Sequence, residues 1–240
     1  MQTDIDACRA AVAAAKQVAV ITGAGVSKES GIPTFRGKEG YWKENRPEDL
    51  ATPAAFAANP KLVHEWYSHR RTVCHQAEPN AAHRAIAALE KQKAQFLLIT
   101  QNVDGLHKRA GSRRLVEVHG NIFRGRCTAC SYTVDVNLEP EPAIALQCPA
   151  CAANVRPDIV WFGESYHPAD LQTCYQFLHH TDLVIVSGTS GVVQIPLHLT
   201  QVARERGARV IDVNPDNTAV SELADWHLAG PAGEILPQLV

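Results

Sequence analysis

Val18-Ala19-Val20-Ile21-Thr22-Gly23-Ala24-Gly25-Val26-Ser27-Lys28-Glu29-Ser30-Gly31-Ile32-Pro33-Thr34-Phe35-Arg36-Gly37 is the stretch from which the fold is read. It opens with a short apolar run rich in β-branched residues, the pattern of a strand buried on both faces. The run stops at Gly23-Ala24-Gly25, where two residues without Cβ let the backbone turn sharply and approach a ligand closely. Ser27 and Ser30 follow at the spacing of an incoming helix start, a place that favours phosphate. Strand, glycine turn and helix start together point to a dinucleotide site. The fingerprint G-x-G-x-x-G is incomplete, because Lys28 stands where its third glycine belongs.

Outward from this stretch the same alternation recurs. Buried strands are expected at 96–100, 115–118, 183–186 and 210–214, and helices at about 3–16, 61–74, 81–93, 168–179 and 197–206. Thr52-Pro53 and Asn59-Pro60 each place a capping residue before a proline, a helix-entry signal used twice in succession. Apolar strands alternating with helices specify an α/β fold, a doubly wound parallel sheet of Rossmann-like type. Its expected extent is 1–35, 76–120 and 158–240, with a smaller inserted domain made from a helical module, 36–75, and a cysteine-bearing module, 121–157. The polar, glycine-containing segments fall where strands end, and ligands of open parallel sheets bind beyond those carboxyl ends.

A chain of 240 residues, 45% hydrophobic and 20% charged, has the composition of a soluble globular protein with an ample core. Its formal net charge of −2 argues against a large basic nucleic-acid surface. No apolar run approaches a membrane span, and Met1-Gln2-Thr3-Asp4-Ile5-Asp6 is not the start of a secretory signal. Seven cysteines in a chain of this length do not form a disulfide scaffold, and a reducing cytoplasm is the expected address.

Four of those cysteines have metal-site spacing. Cys127-x-x-Cys130 and Cys148-x-x-Cys151 are separated by 17 residues, within the window for a four-thiolate zinc site. Four thiolates leave no open coordination position, so the ion is expected to be structural. A zinc ribbon alone also occurs in nucleic-acid binders, but this one sits between strands of a nucleotide-binding sheet with little basic excess. Cys8, Cys74 and Cys174 fall outside the pattern.

Among eleven histidines His119 stands apart, because it ends an apolar strand and is followed at once by Gly120. That placement exposes an imidazole at the strand ends, where it can serve as a general base near neutral pH. The neighbouring strand ends in Gln101-Asn102-Val103-Asp104-Gly105. Asn102 can bind a ribose, a carboxamide or a water, and Asp104 is equally readable as a helix cap. On the helix over 61–74, Val63, Trp66, Tyr67, Arg70 and Cys74 share one face, so Arg70 stands where an apolar residue belongs. Either Arg70 lies at the stripe's edge with its head solvated, or Tyr67 and Arg70 point together into a cleft and hold an anion.

The string Gly23-Ala24-Gly25-Val26-Ser27-x-Glu29-Ser30-Gly31-Ile32-Pro33-x-Phe35-Arg36-Gly37 resembles the NAD-binding signature of the sirtuins, the NAD-dependent protein-lysine deacylases. Thr100-Gln101-Asn102-Val103-Asp104-Gly105-Leu106-His107, His119-Gly120, both C-x-x-C pairs, Phe162-Gly163-Glu164, Gly188-Thr189-Ser190 and Asn214 follow in sirtuin order. The resemblance covers the chain from about Val18 onward. It implies an NAD-consuming acyl transfer, in which the acyl oxygen of a modified lysine attacks the anomeric carbon of NAD as nicotinamide leaves. His119 then deprotonates a ribose hydroxyl that attacks the acyl carbon, yielding free lysine, nicotinamide and O-acyl-ADP-ribose.

By the same resemblance Asn102 and Asp104 hold the nicotinamide end, Phe35 shields the reacting centre, and Arg36 and Gln101 lie along the cofactor path. Gly188, Thr189 and Ser190 meet the phosphates and nearby ribose, while Asn214, Pro215, Asp216 and Ala232 meet the adenosine side. Gly23, Ala24, Gly25, Ser27, Glu29, Val103, Tyr41 and Trp42 complete the expected cofactor site. Two positions depart from the pattern: Ile195 stands where many sirtuins have proline, which here is Pro196, and Ala232 where relatives carry cysteine.

Tyr67-x-x-Arg70, with Ala51 making room ahead of it, resembles the sirtuins that remove succinyl, malonyl and glutaryl groups. A guanidinium and a phenol hydroxyl suit an acyl chain that ends in a carboxylate. The expected partners are acylated-lysine proteins or peptides. The alternatives are a general lysine deacetylase, a protein ADP-ribosyltransferase, and a non-catalytic NAD-binding module with a zinc ribbon for partner binding.

Overall fold

A computed structural model describes residues 2–34, 46–136, 147–191 and 193–240. Of the expected site residues, Phe35, Arg36, Tyr41 and Trp42 lie outside the described residues. After helix α1 (Gln2–Ala14) comes strand β1 (Gln17–Thr22), the centre of the molecule. Its side chains alternate as the pleat demands. Val18 and Val20 face one core with α1, and Ala19 and Ile21 face the opposite one. All four are at most 1% exposed, so each large one contributes about 1.5–3 kcal/mol by burial.

Around β1 a six-stranded sheet is built from β2 (Gln95–Thr100), β3 (Leu115–Glu117), β7 (Leu183–Ser187), β8 (Arg209–Asn214) and β9 (Trp226–Ala229). Its order is β3-β2-β1-β7-β8-β9, and every pairing is parallel. With the intervening small strands removed this is the doubly wound order, whose direction reverses between β1 and β7. α1, α5 (Ala81–Gln92) and the short α9 (Ala232–Ile235) cover one face, and α7 (Pro168–Leu178) and α8 (Gln194–Glu205) cover the other. The sequence reading expects five strands, and β9 is the sixth. It has four residues, one of them His227, too few to show a period, and Arg209 covers its Trp226 with the guanidinium 4.0 Å from the ring.

The smaller lobe has two parts. α2 (Pro47–Leu50), α3 (Pro53–Ala58) and α4 (Pro60–Gln76) form a helical unit. Thr52 and Asn59 cap α3 and α4 through their side chains, as the two X-Pro signals predict. The second part is an antiparallel sheet in the order β5-β4-β6, from β4 (Gly120–Cys127), β5 (Thr133–Asp135) and β6 (Val155–Ile159). A third core of Phe56, Val63, Tyr67, Ile122 and Trp161 joins α3 and α4 to this sheet and to Val103 and Leu106 behind the end of β2.

The segment after β1 differs from expectation. Residues Ala24–Ser30 form a 3₁₀ helix that ends at Gly31 in the left-handed region, not the start of an α-helix. Neither serine caps it. Ser27 turns inward and is 1% exposed, and Ser30 accepts a hydrogen bond from Nδ2 of Asn80. The tight coil results from contact between two turns: Gly25 N–H donates to the carbonyl of Gly188 at 2.8 Å.

Candidate active site

The turns after β1 and β7 meet where the sheet order reverses. A Cβ on Gly25 would lie 2.7 Å from Cα of Gly188, and one on Gly188 2.4 Å from N of Val26. No side chain fits between them, and Gly23 before the 3₁₀ helix makes no side-chain cap. The turn therefore presents bare backbone to a cleft of about 920 Å³. That volume lies in the upper part of the usual range for small-molecule and cofactor sites. Gly23, Ala24, Gly25, Glu29, Gln101, Asn102, Val103, Gly188, Thr189, Ser190, Asn214, Pro215, Asp216 and Ala232 all line it, together with His119, Ala51, Tyr67 and Arg70. Bare backbone, hydroxyls and amides along one continuous cleft fit an extended dinucleotide.

His119 hangs from the end of β3, where Val118 N–H still bonds the Thr100 carbonyl. Gly120 must follow it: the backbone there has φ +82°, and a Cβ would lie 2.0 Å from the Asp158 carbonyl oxygen. Nδ1 of His119 lies 3.0 Å from the carbonyl oxygen of Gln101, which can accept a proton but not donate one. Nδ1 therefore carries the hydrogen, and Nε2 keeps an unprotonated lone pair toward the cleft, where the Tyr166 hydroxyl lies 3.4 Å away. Burial lowers the His119 pKa, and the bond to Gln101 opposes that shift. The neutral, proton-accepting form is thus the one present near pH 7.

Ser27 and Asp104 do not line the cleft. They stand behind Asn102, whose Nδ2 donates to Ser27 Oγ at 3.1 Å while that hydroxyl donates to Asp104 Oδ2 at 2.7 Å. The other carboxylate oxygen accepts the Leu106 N–H at 2.9 Å, at the entry to α6 (Leu106–Arg109). Asp104 thus stands one residue ahead of the α6 N-cap, Gly105, and its carboxylate fixes Ser27 and, through it, Asn102. Burial raises its pKa.

On α4, Tyr67 and Arg70 lie one turn apart, 1% and 4% exposed. The Arg70 guanidinium sits 4.7 Å from the Trp66 ring centroid and 5.2 Å from that of Tyr67, so its head is held among aromatic rings and is not solvated at the stripe's edge. The Tyr67 oxygen accepts the Trp161 indole N–H at 2.8 Å, which leaves the phenol hydrogen free to donate. Burial raises the Tyr67 pKa and keeps that hydrogen in place. Trp161 is itself clamped, with the Arg156 guanidinium 3.3 Å from its ring centroid and bound by Glu164.

At the other end Asn214 closes β8, and its amide donates to Asp212, a fully buried carboxylate that also receives Ser221 and His227. Glu29 accepts the Gly233 N–H at 2.7 Å, tying the 3₁₀ helix to the segment that carries Ala232.

The four thiols of Cys127, Cys130, Cys148 and Cys151 converge, with all sulfurs within 4.8 Å and neighbouring pairs 3.5, 3.6 and 3.7 Å apart. The edge of a tetrahedron with Zn–S bonds of about 2.3 Å is roughly 3.8 Å. Backbone N–H groups of Ala129 and Ala150 also point at Cys127 and Cys148. The donor set fits one structural zinc ion. No helix among the described residues is long and apolar enough to cross a membrane.

Tyr166 and Trp161 also line the cleft, and neither is singled out as a site residue by sequence reading. Trp161 carries a faint signal, as it precedes Phe162-Gly163-Glu164; Tyr166 carries none.

Residues 23–195 match the Sir2 family. An NAD-dependent protein deacylase of Leptospira interrogans serogroup Icterohaemorrhagiae is 49% identical over 229 residues, 94% of this chain and 92% of its own length. A solved Sir2 homolog–NAD complex matches with a TM-score of 0.91 at 43% identity, over 98% of this chain and 91% of that one. A Sir2 homologue mutant in complex with 2'-O-acetyl ADP-ribose has the same TM-score of 0.91 and 43% identity, over 98% and 94%. By a family match over residues 23–195 and a relative 49% identical across 94% of this chain, the chain belongs to the Sir2 family.

Proposed function

We propose that this protein removes acyl groups from lysine side chains at the expense of NAD, and that it prefers acyl groups ending in a carboxylate. The observation that carries the preference is Tyr67 and Arg70 on the wall of the cleft that also holds His119 and Asn102. NAD, when bound, supplies the anomeric carbon from which nicotinamide leaves, so that the products are nicotinamide, O-acyl-ADP-ribose and the free lysine. Gly188, Thr189 and Ser190 hold the phosphates and adjoining ribose, and Asn214, Pro215, Asp216 and Ala232 hold the adenosine end. Asn102 orients the nicotinamide end, with Ser27 and Asp104 as its support. Nε2 of His119 takes the proton of a sugar hydroxyl, and the Gln101 carbonyl keeps the imidazole in the tautomer that can do so. The Sir2 homologue bound to 2'-O-acetyl ADP-ribose supports this assignment of products.

Arg70 and the free hydrogen of Tyr67 together offer charge-assisted hydrogen bonds to an acyl carboxylate, and Ala51 leaves room for the longer chain. One such bond contributes about 1.5–3 kcal/mol, a preference of roughly ten- to hundredfold over acetyl. Arg70→Met should therefore lower kcat/KM on succinyl-lysine peptide by that factor and leave deacetylation much less affected. Equal losses on matched succinyl and acetyl peptides would refute the acidic pocket. A gain of mass on the peptide would instead indicate ADP-ribosyl transfer.

A further inference from the structure

Tyr166 enters the cleft from the segment between Glu164 and α7, and nothing in the proposed chemistry calls for it. Its ring lies nearly parallel to that of His119, with centroids 5.6 Å apart and planes at 21°. Its hydroxyl is 3.4 Å from Nε2 of His119, the nitrogen that faces the cleft. Because Nδ1 is committed to the Gln101 carbonyl, Nε2 has a lone pair and no hydrogen, so the phenol must be the donor. Burial raises the Tyr166 pKa, and the hydroxyl keeps its hydrogen through the neutral range.

We infer that Tyr166 is a positioning residue that caps the proton-accepting nitrogen of His119 in the substrate-free enzyme, and that productive binding exchanges its hydrogen bond for one from the sugar hydroxyl. The inference rests on His119 acting as the base. Before binding, the phenol holds the imidazole by stacking and by one hydrogen bond, which keeps Nε2 aimed along the cleft. The arriving sugar hydroxyl offers the same O–H to the same lone pair, so the exchange leaves no buried nitrogen unsatisfied.

A donor on Nε2 favours the neutral imidazole over the cation, whose own N–H it would oppose. The free enzyme's His119 therefore titrates lower because of Tyr166, and the bound enzyme's does not. Among the described residues no charged side chain contributes to the shift of His119. Of the ionisable groups around it, Glu117 on its own strand pairs with Lys108 and Arg124, and Asp104 is bonded to Ser27. Lys28 and Glu29 on the 3₁₀ helix, Tyr67 and Arg70 on α4, Glu164 after β6 and Asp216 after β8 stand elsewhere on the cleft wall.

The test is Tyr166→Phe in the full-length, zinc-loaded protein, which keeps the ring and deletes the hydroxyl. The acid limb of kcat/KM for NAD, which reports the enzyme before NAD binds, should move up by about half a pH unit, while the acid limb of kcat stays in place. The His119 titration followed by ¹⁵N NMR in the substrate-free protein should move by the same amount, a readout independent of turnover. A kcat/KM limb that superimposes on wild type, or limbs of kcat and kcat/KM that shift together, would overturn the inference. His119→Ala separates the two failures. If that variant still removes acyl groups at wild-type rate, the base assignment is wrong; if it is inactive while the Tyr166→Phe limb is unmoved, the cap alone is wrong.

Discussion

His83 and His107 pack against each other with ring centroids 4.7 Å apart and planes tilted by 55°, 0% and 2% exposed. Each keeps a polar partner: Ser27 Oγ is 3.5 Å from Nε2 of His83, and Thr22 Oγ1 is 3.0 Å from Nε2 of His107. Burial, with Arg84 adding to it, lowers the His83 pKa from 6.5 to about 4, and burial, with His83 opposing a second charge beside it, holds His107 well below 6.5. Between those values the unfolded chain binds protons that the folded chain refuses. Stability is therefore lost as pH falls from about 6.5 toward 4, at about 1.4 kcal/mol per pH unit for each histidine. Urea unfolding measured from pH 7 to pH 5 should show this slope, and His107→Gln should reduce it by about one histidine's share. At this scale the sequence is explicit only where a residue type does the work. The string marks His119 by its place at a strand end before Gly120, but nothing in it marks His83 and His107, whose burial only the fold decides.

At the scale of the element, the best-predicted pieces are those whose period is local. The 3.6-residue stripe of α4 placed Tyr67 and Arg70 on one face, and only the choice between edge and cleft waited for the fold. The turn after β1 was harder. Its glycines announce close approach, but the partner, Gly188, lies in another turn far along the chain. That partner makes the segment a 3₁₀ helix and sends Ser27 inward. Gly25→Ala should test the contact, because the new Cβ would meet Gly188 Cα at 2.7 Å and its carbonyl oxygen at 2.8 Å, backbone atoms with no rotamer to yield. Isothermal calorimetry should register at least a roughly tenfold weaker NAD affinity, a loss of about 1.4 kcal/mol. Unchanged affinity would show that the two turns can separate without disturbing the site.

For the whole molecule, the zinc lobe and the sheet are coupled through two strands. β4 runs from Gly120, next to His119, to Cys127 of the thiolate cluster, and β6 runs back antiparallel from Val155, opposite Cys127, to Ile159, opposite Gly120. Among the described residues the lobe's own core is Cys127, Val136, Cys148 and Val155 with Tyr132, Val134 and Ala153 packed against it, a core too small to hold β4 and β6 in place without the ion. Chelation should therefore abolish acyl removal and lower the melting temperature, while circular dichroism keeps the helical signal of the sheet domain. Release of one ion per chain, measured with a metal-sensitive dye, checks the stoichiometry. Activity that survives complete removal of the ion would mean the lobe is held by its side chains alone.

Taken alone, the sequence determined the alternation of buried strands and helices, the glycine turn, the thiolate pairs and the spacing of Tyr67 and Arg70. Each is written within a few residues, in a period or a ligand interval that sterics and coordination geometry impose locally. Tertiary structure alone decided that Trp226–Ala229 adds an edge strand, that Asp104 supports Asn102 from behind, that Trp161 holds Tyr67, and that Tyr166 lies on His119. Those contacts join segments distant in the chain, and which segments meet is set by how the sheet and the small lobe pack, a property no local pattern encodes.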